Sequence, residues 1–259
     1  MWYNLNGNIL QKVSFTHNNR SFKYGDGFFE TMRIFNGKVF NRIAHENRLS
    51  KTLNYLKLIL EKPISELFNE VEDLLCINDI SEGGFARLML YRDGKGTYNP
   101  SINTASYFIE CTKCTSNQFE LKDKSIETVF FVEHKKPISK LSNIKSNNAL
   151  LYILASIYAK EQNADDAILL NKNDNIIEST NANLFLVNKG DLYTPPLADG
   201  PLDGTLRSLI IQCFSVKERS LSIDDYNNAE EVFLTNAHGI RNVKLGPKTK
   251  EVFHQLNKL

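Results

Sequence analysis

The sequence predicts an α+β fold in two lobes, and three features predict it. Strand-like runs are mixed with grouped helices, no steady strand-helix alternation runs through the chain, and a polar aperiodic stretch separates two structured parts. At 259 residues the chain can bury one large core or two medium ones without disulfides or metals.

Taken in order, residues 28–35 (FFETMRIF) and 38–40 (KVF) flank Asn36-Gly37. Both turn residues tolerate positive φ, so a type I′ hairpin is predicted there. A helix is predicted at about 45–61, where Leu49, Leu53, Leu56 and Leu60 repeat at spacings of four and three. A second starts after Pro63 and carries Leu67, Val71 and Leu74 on one face. FARLMLY (85–91) and TASYFIE (104–110) read as strands, and the polar segment 112–125 that follows has no period. This divides the chain into an N-terminal lobe at 1–112, a linker at 113–124 and a C-terminal lobe at 125–259.

The second part opens with a strand, TVFFVEH (128–134), then a helix over about 147–162 whose apolar positions Leu150, Leu154, Ile157 and Tyr158 share a face. AILLN (167–171) and IIES (176–179) flank a turn, and NLFLV (183–187) is a further strand. After the loop 195–204 a helix is expected from about Thr205, and EEVFLTN (230–236) is one more strand.

Several function classes lose their support at once. The 31 basic and 30 acidic residues leave a formal charge of +1 and are interspersed, which argues against nucleic acid or an anionic membrane as partner. No apolar run approaches the ~18 residues of a spanning helix, and the first residues lack a basic region followed by an apolar stretch, so the chain reads as cytoplasmic. Cys111 and Cys114 form a C-x-x-C with no second pair at zinc spacing and read as ordinary cysteines at a strand end. The five histidines show no paired-ligand spacing, so no metal is expected. Dinucleotide, P-loop and α/β-hydrolase fingerprints are missing as well.

Seven short segments carry the chemistry. They are Tyr24-Gly-Asp-Gly-Phe-Phe-Glu-Thr-Met-Arg33, His45-Glu-Asn-Arg48-Leu49, Ile144-Lys145-Ser-Asn-Asn-Ala-Leu150, Ile177-Glu178 through Asn183-Leu-Phe185, Thr194-Pro195, Gly204-Thr-Leu-Arg207 and Phe233-Leu-Thr-Asn236-Ala237. In this order, over most of the chain, they resemble the class IV aminotransferases. That group includes branched-chain aminotransferases, D-amino acid aminotransferases and 4-amino-4-deoxychorismate lyases.

The resemblance implies a fold-type IV enzyme dependent on pyridoxal 5′-phosphate (PLP), with a small N-terminal α/β lobe and a larger sheet-rich C-terminal lobe. Lys145 matches the family's Schiff-base lysine, which must present a neutral amine to the cofactor aldehyde and then act as base at the substrate Cα. Alone, a lysine ahead of an amphipathic helix would read as a solvated residue. Glu178 matches the carboxylate that keeps the pyridine nitrogen protonated. Arg48 matches the phosphate arginine. Thr205 and Leu206 at a helix start, with Asn236 and Ala237, match the phosphate-binding backbone. Gly-Thr-Leu-Arg departs from the usual Gly-Ile-Thr-Arg, so Leu206 offers only its backbone there.

Tyr24, Phe29 and Arg33 match substrate-pocket positions, and Arg92 opens a loop ending at Tyr98 that in relatives often carries a second arginine for a substrate carboxylate. That second arginine is missing, and Lys95 lacks its planar fork. Two reactions remain open. One transfers the amino group of a small branched-chain-like or D-amino acid to a 2-keto acid. The other releases pyruvate and 4-aminobenzoate from 4-amino-4-deoxychorismate. Leu150 is a leucine as in the lyases and the D-amino acid enzymes, where branched-chain aminotransferases usually have tyrosine; Asn236-Ala237-His238 resembles the lyases, whereas Phe22 stands where a bacterial lyase has threonine. A non-catalytic PLP-binding homologue is a third reading, opposed by the retained Lys145 and Glu178. The family also implies a homodimer.

Overall fold

The computed structural model describes all 259 residues, Met1–Leu259. They form two compact units. One comprises Met1–Gln118 with Lys145–Asn148, the other Phe119–Ile144 with Ala149–Leu259.

The first unit contains β1 (Tyr3–Leu5), β2 (Asn8–Leu10), α1 (Arg20–Tyr24), β3 (Gly27–Phe35), β4 (Lys38–Val39), α2 (Arg42–Leu56), α3 (Ile64–Ile77), β5 (Gly83–Arg92) and β6 (Ala105–Cys114). Its strands make one antiparallel sheet in the order β2-β1-β6-β5-β3-β4. The β3–β4 hairpin turns at Asn36 (φ 50°) and Gly37 (φ 67°), both left-handed as a type I′ turn requires. Because successive strand residues alternate faces, Phe28, Glu30, Met32 and Ile34 are buried on one side, and Glu30 meets α2 there. Phe29, Thr31, Arg33 and Phe35 lie on the other.

Helix α3 starts right after Pro63 and buries Leu67, Val71 and Leu74 completely. Helix α2 departs from its expected span of 45–61. It begins at Arg42 and stops at Leu56, where Lys57 turns left-handed (φ 56°) and caps the helix with its own N–H. Leu60 therefore lies outside, Leu58 is buried instead, and Ile59 bridges to Thr104. Cys111 and Cys114, three apart on β6, point to opposite faces and cannot bond each other. Burial, helped by Glu110, pushes the Cys111 thiol up to about 12.

The second unit contains β7 (Thr128–Lys136), α4 (Leu150–Glu161), β8 (Asp166–Asn171), β9 (Ile176–Ser179), β10 (Asn183–Asn188), β11 (Asp191–Thr194), α5 (Thr205–Cys213), β12 (Val216–Glu218), α6 (Ile223–Asn227), β13 (Glu231–Asn236), β14 (Gly239–Lys244) and α7 (Pro247–Leu256). Its sheet runs β12-β11-β10-β9-β8-β7, with β13 joined to β10 and β14. The pairs β7/β8 and β11/β12 are parallel, so α4 and α5 serve as their crossovers.

Helix α4 corrects an expectation. Leu150, Ile153, Leu154 and Ile157 share a face, but that face is 46–75% exposed. The buried face carries Ala155 and Ala159, packed with Leu151, Tyr152 and Tyr158 against Phe131, Ala167, Leu169 and Ile177. Two alanines four residues apart let the helix lie close on the sheet, which leaves its larger side chains outside. No helix in either unit is long and apolar enough to cross a membrane.

Candidate active site

Lys145 is held by backbone. Its carbonyl accepts the Phe29 N–H at 3.0 Å, the Asn147 N–H donates to Gly27 at 3.0 Å, and Phe28 bridges Ser146. The segment thus covers the free edge of β3 at Gly27–Phe29, where an unpaired edge would otherwise remain. Asn147 Nδ2 donates to Ser21 Oγ at 2.6 Å and Asn148 Nδ2 to the Gly25 carbonyl at 3.3 Å. The Gly25-Asp26-Gly27 motif makes room for this docking. A Cβ on Gly27 would stand 2.5 Å from the Leu90 carbonyl and 2.8 Å from Asn147 Nδ2, and one on Gly25 (φ 64°) 2.4 Å from Asn148 Oδ1.

The Lys145 amine lies 4.5 Å from the centre of the Phe29 ring. Against the same ring, at 4.2 Å, lies the Arg87 guanidinium of β5. Arg87 Nε is buried with no hydrogen-bond partner. Sequence reasoning missed this residue, although an arginine inside the apolar run FARLMLY was a visible signal. A cation with an orphaned donor beside the candidate cofactor lysine is suited to an anion.

Behind β3, Glu30, His45 and Arg48 form a buried cluster. Arg48 donates through Nε at 2.8 Å and through its terminal nitrogen to the two Glu30 oxygens, and His45 Nδ1 meets Glu30 at 2.6 Å. Burial works to raise the Glu30 carboxyl, but the Arg48 charge and the bonds from His45 and Arg48 outweigh it and hold it at about 2. The His45 imidazole is lowered, chiefly by burial, with the charges of Arg48 and Lys145 adding. Glu30 is therefore ionised and fixes the orientation of Arg48. Both Glu30 and His45 sit in the quoted motifs without having been assigned a role.

Two expected substrate residues have other partners. The Arg33 guanidinium is sandwiched between Phe35 and Phe85 (4.9 and 4.7 Å) and donates to the Ser116 and Gln118 carbonyls. Each Arg92 nitrogen has an acceptor: Asp26 at 3.1 Å, Asn103 Oδ1 at 2.5 Å and the Leu56 carbonyl at 2.8 Å. Asp26 also binds Arg20 at 2.8 Å, so the motif's acid ties two arginines rather than a ligand. Asp26, Asn103 and the Leu56 carbonyl claim Arg92, while Arg33, on the same face of β3 as Phe29, is engaged by the aromatic sandwich and two carbonyls with its Nε left unpaired. Tyr24 does meet Tyr98, their rings 5.8 Å apart, with Tyr98 90% exposed.

In the second unit Glu178 is buried on β9. Its Oε1 accepts Lys136 Nζ at 2.5 Å and the Tyr152 hydroxyl at 3.0 Å; its Oε2 accepts the Leu202 N–H at 2.8 Å. Asn183 gathers the other expected residues around it. Its backbone pairs with both Glu178 and Thr235, and its Nδ2 donates to the Leu202 carbonyl at 2.8 Å. Gly204, which caps α5 ahead of Thr205 and Leu206, approaches Asn183 so closely that a Cβ would fall 1.9 Å from Asn183 Oδ1. Asn236 follows Thr235 and donates to Asn181, while the His238 N–H bonds Asn236 Oδ1 at 2.8 Å. One corner therefore holds Glu178, the N-terminal turn of α5 and the Asn236-Ala237 turn.

The donor set there suits a phosphorylated pyridine. Glu178 Oε2 has a single donor and keeps an acceptor site, while the N-terminal turn of α5, which Gly204 leaves without a side-chain cap, offers backbone N–H groups and a positive dipole end that suit an anion. Ser179 Oγ, beside Glu178, and Thr235 Oγ1, beside Asn236, are buried without partners.

Comparison with known proteins decides the family. The model of the class IV amino-transferases matches residues 27–245. The chain belongs to that family. A D-alanine aminotransferase of Staphylococcus aureus is 26% identical over 270 residues, 96% of this chain and 94% of the relative. The branched-chain aminotransferase of Thermoproteus uzoniensis, solved with norvaline, superposes with a TM-score of 0.90 at 24% identity, covering 100% of this chain and 94% of that one. A Legionella pneumophila structure described as a candidate 4-amino-4-deoxychorismate lyase gives 0.86 at 25% identity, with 96% of each chain covered. This class IV aminotransferase is accordingly a PLP-dependent enzyme of fold-type IV with an α+β architecture.

Proposed function

We propose that the protein is a transaminase that moves the amino group of a small amino acid, branched-chain-like or of D configuration, to a 2-keto acid. The observation that carries this reading is the Phe29 ring flanked by the Lys145 amine and the Arg87 guanidinium. Bound PLP supplies an electron sink that acidifies the substrate Cα–H. Lys145 would carry the cofactor and, as a free neutral amine, would accept the proton from the substrate Cα onto its Nζ. Arg87 takes the substrate carboxylate in place of Arg33 and Arg92, through a donor that nothing else uses. By the family's motifs, in the second unit Glu178 would hold a proton at the pyridine nitrogen and the N–H groups of Thr205, Leu206 and Ala237 would take the phosphate, while in the first unit Arg48 matches the phosphate arginine and Tyr24, Phe29 and Tyr98 match substrate positions. The similarity to D-alanine aminotransferases over nearly the whole chain supports a small substrate.

The lyase is a second reading, favoured by the Legionella structure and by the lyase-like Asn236-Ala237-His238 segment. A homodimer is part of the proposal: the exposed stripe Leu150, Ile153, Leu154 and Ile157 on α4 is the kind of apolar surface a second copy covers. A cytoplasmic location belongs to the same reading.

The test loads the protein with PLP and adds L-amino acids, D-amino acids and 4-amino-4-deoxychorismate separately, without a keto acid acceptor. Release of one equivalent of keto acid per site supports transamination and gives the substrate's handedness. Repeated release of 4-aminobenzoate would establish the lyase, and no product from any of them would overturn both readings.

A further inference from the structure

Lys136 is a buried cation that the proposed chemistry does not employ. It is the last residue of β7, 5% exposed, and its amine donates to Glu178 Oε1 at 2.5 Å and to the Ser142 carbonyl at 2.8 Å, lying 5.3 Å from the Tyr152 ring. A lone ammonium this deep is expensive, so the Glu178 charge is what keeps it there. The other groups on Glu178 carry no charge. The Leu202 N–H is backbone, and burial followed by the Glu178 charge pushes the Tyr152 phenol far above its ordinary value, so it stays a neutral donor. Lys136 is thus the one cation on this carboxylate among its hydrogen-bond partners in the unit.

We propose that Lys136 is the standing counter-ion of Glu178. With Tyr152 it saturates Oε1, holds the buried carboxylate in place, and leaves Oε2 as the acceptor for a protonated ring nitrogen. This rests on the reading of Glu178 as the ring-nitrogen partner. Lys136 is a positioning residue in this scheme. By sharing the Glu178 charge it also moderates how strongly that carboxylate holds a ring proton, so a ring nitrogen and Lys136 act as partly redundant cations.

The redundancy can be measured without turnover. The probes are PLP and its analogue with the ring nitrogen replaced by C–H, which forms the same covalent link but cannot present a protonated nitrogen. The ratio of their dissociation constants is compared in the wild type, Lys136→Met and Lys136→Arg. The wild type is expected to prefer PLP, and Lys136→Met to raise that preference at least tenfold, because the ring nitrogen is then the only cation left for Glu178. Lys136→Arg should restore the wild-type ratio. Equal weakening of both probes, with the ratio within threefold of wild type, would mean that Lys136 only packs, and the proposal would be overturned. A wild type with no preference at all would instead remove Glu178 from the ring nitrogen, and the proposal with it. Should Lys136→Met fail to fold, the double variant Lys136→Met/Glu178→Gln is expected to fold and to show no preference, since it removes both charges together. A double variant that also fails to fold would overturn the counter-ion role.

Discussion

Replacing Glu30 with glutamine tests the electrostatics behind β3 without touching the cofactor lysine. Glu30 drops from an ordinary value of 4.5 to about 2 in the fold, a difference of 2.5 pH units. At about 1.36 kcal/mol per unit this corresponds to roughly 3 kcal/mol of stability. The sign follows from the depressed value. The contribution is fully present above pH 4.5 and is lost as the pH falls toward about 2. Independently, breaking a buried ion pair by removing one partner costs about 3–5 kcal/mol, so the two routes agree. Urea unfolding of the cofactor-free protein, followed by circular dichroism at pH 7, 5, 4 and 3, is the assay. Glu30→Gln is expected to be about 3 kcal/mol less stable at pH 7, with the gap closing steadily below about pH 4.5. The Glu30 charge and hydrogen bond hold the buried His45 imidazole up, so in Glu30→Gln it falls further and the variant loses somewhat more below pH 6.5, which widens the gap before the Glu30 contribution closes it. A gap under about 1 kcal/mol at pH 7, or one that does not change with pH, would refute the buried pairing.

Further outcomes follow from the same structure. Glu178→Gln should still bind PLP yet slow turnover by a factor of ~100 or more, because a neutral amide cannot hold the ring proton; unchanged single-turnover kinetics would remove Glu178 from that role. Arg92→Ala should lower stability by about 2–4 kcal/mol, since Asp26, Asn103 and the Leu56 carbonyl lose their donor, and leave KM for the amino acid within about threefold in protein that still folds. A KM raised tenfold would return Arg92 to the substrate. Ile157→Glu, on the exposed stripe of α4, should turn a dimer into monomers in sedimentation; a dimer of unchanged strength would place the interface elsewhere.

Much of the fold was legible because its longer elements obey simple periodicities. The Asn36-Gly37 turn needs two positive φ angles, and only such a dipeptide supplies them cheaply; the start of α3 follows from Pro63 in the same way. The three-residue strands β1, β2 and β12 were not legible, since a run that short carries no period. Nor could the face of α4 be read. Its pattern marks an apolar stripe but does not say whether that stripe or the alanine side meets the sheet. In the site, Lys145 and Glu178 stood out through the motifs around them, whereas Lys136 and Arg87 look like ordinary strand lysine and arginine until the sheet register shows what they face. Arg33 and Arg92 misled because a residue type was matched without its acceptors: the aromatic sandwich and Asp26 become visible only in three dimensions.

The most direct test of the central claim is borohydride reduction of the PLP-loaded protein followed by peptide mass mapping. A pyridoxyl adduct confined to the peptide that contains Lys145, and missing in Lys145→Ala together with turnover, is the expected result. An adduct on another lysine, Lys136 included, or turnover that survives Lys145→Ala, would contradict it.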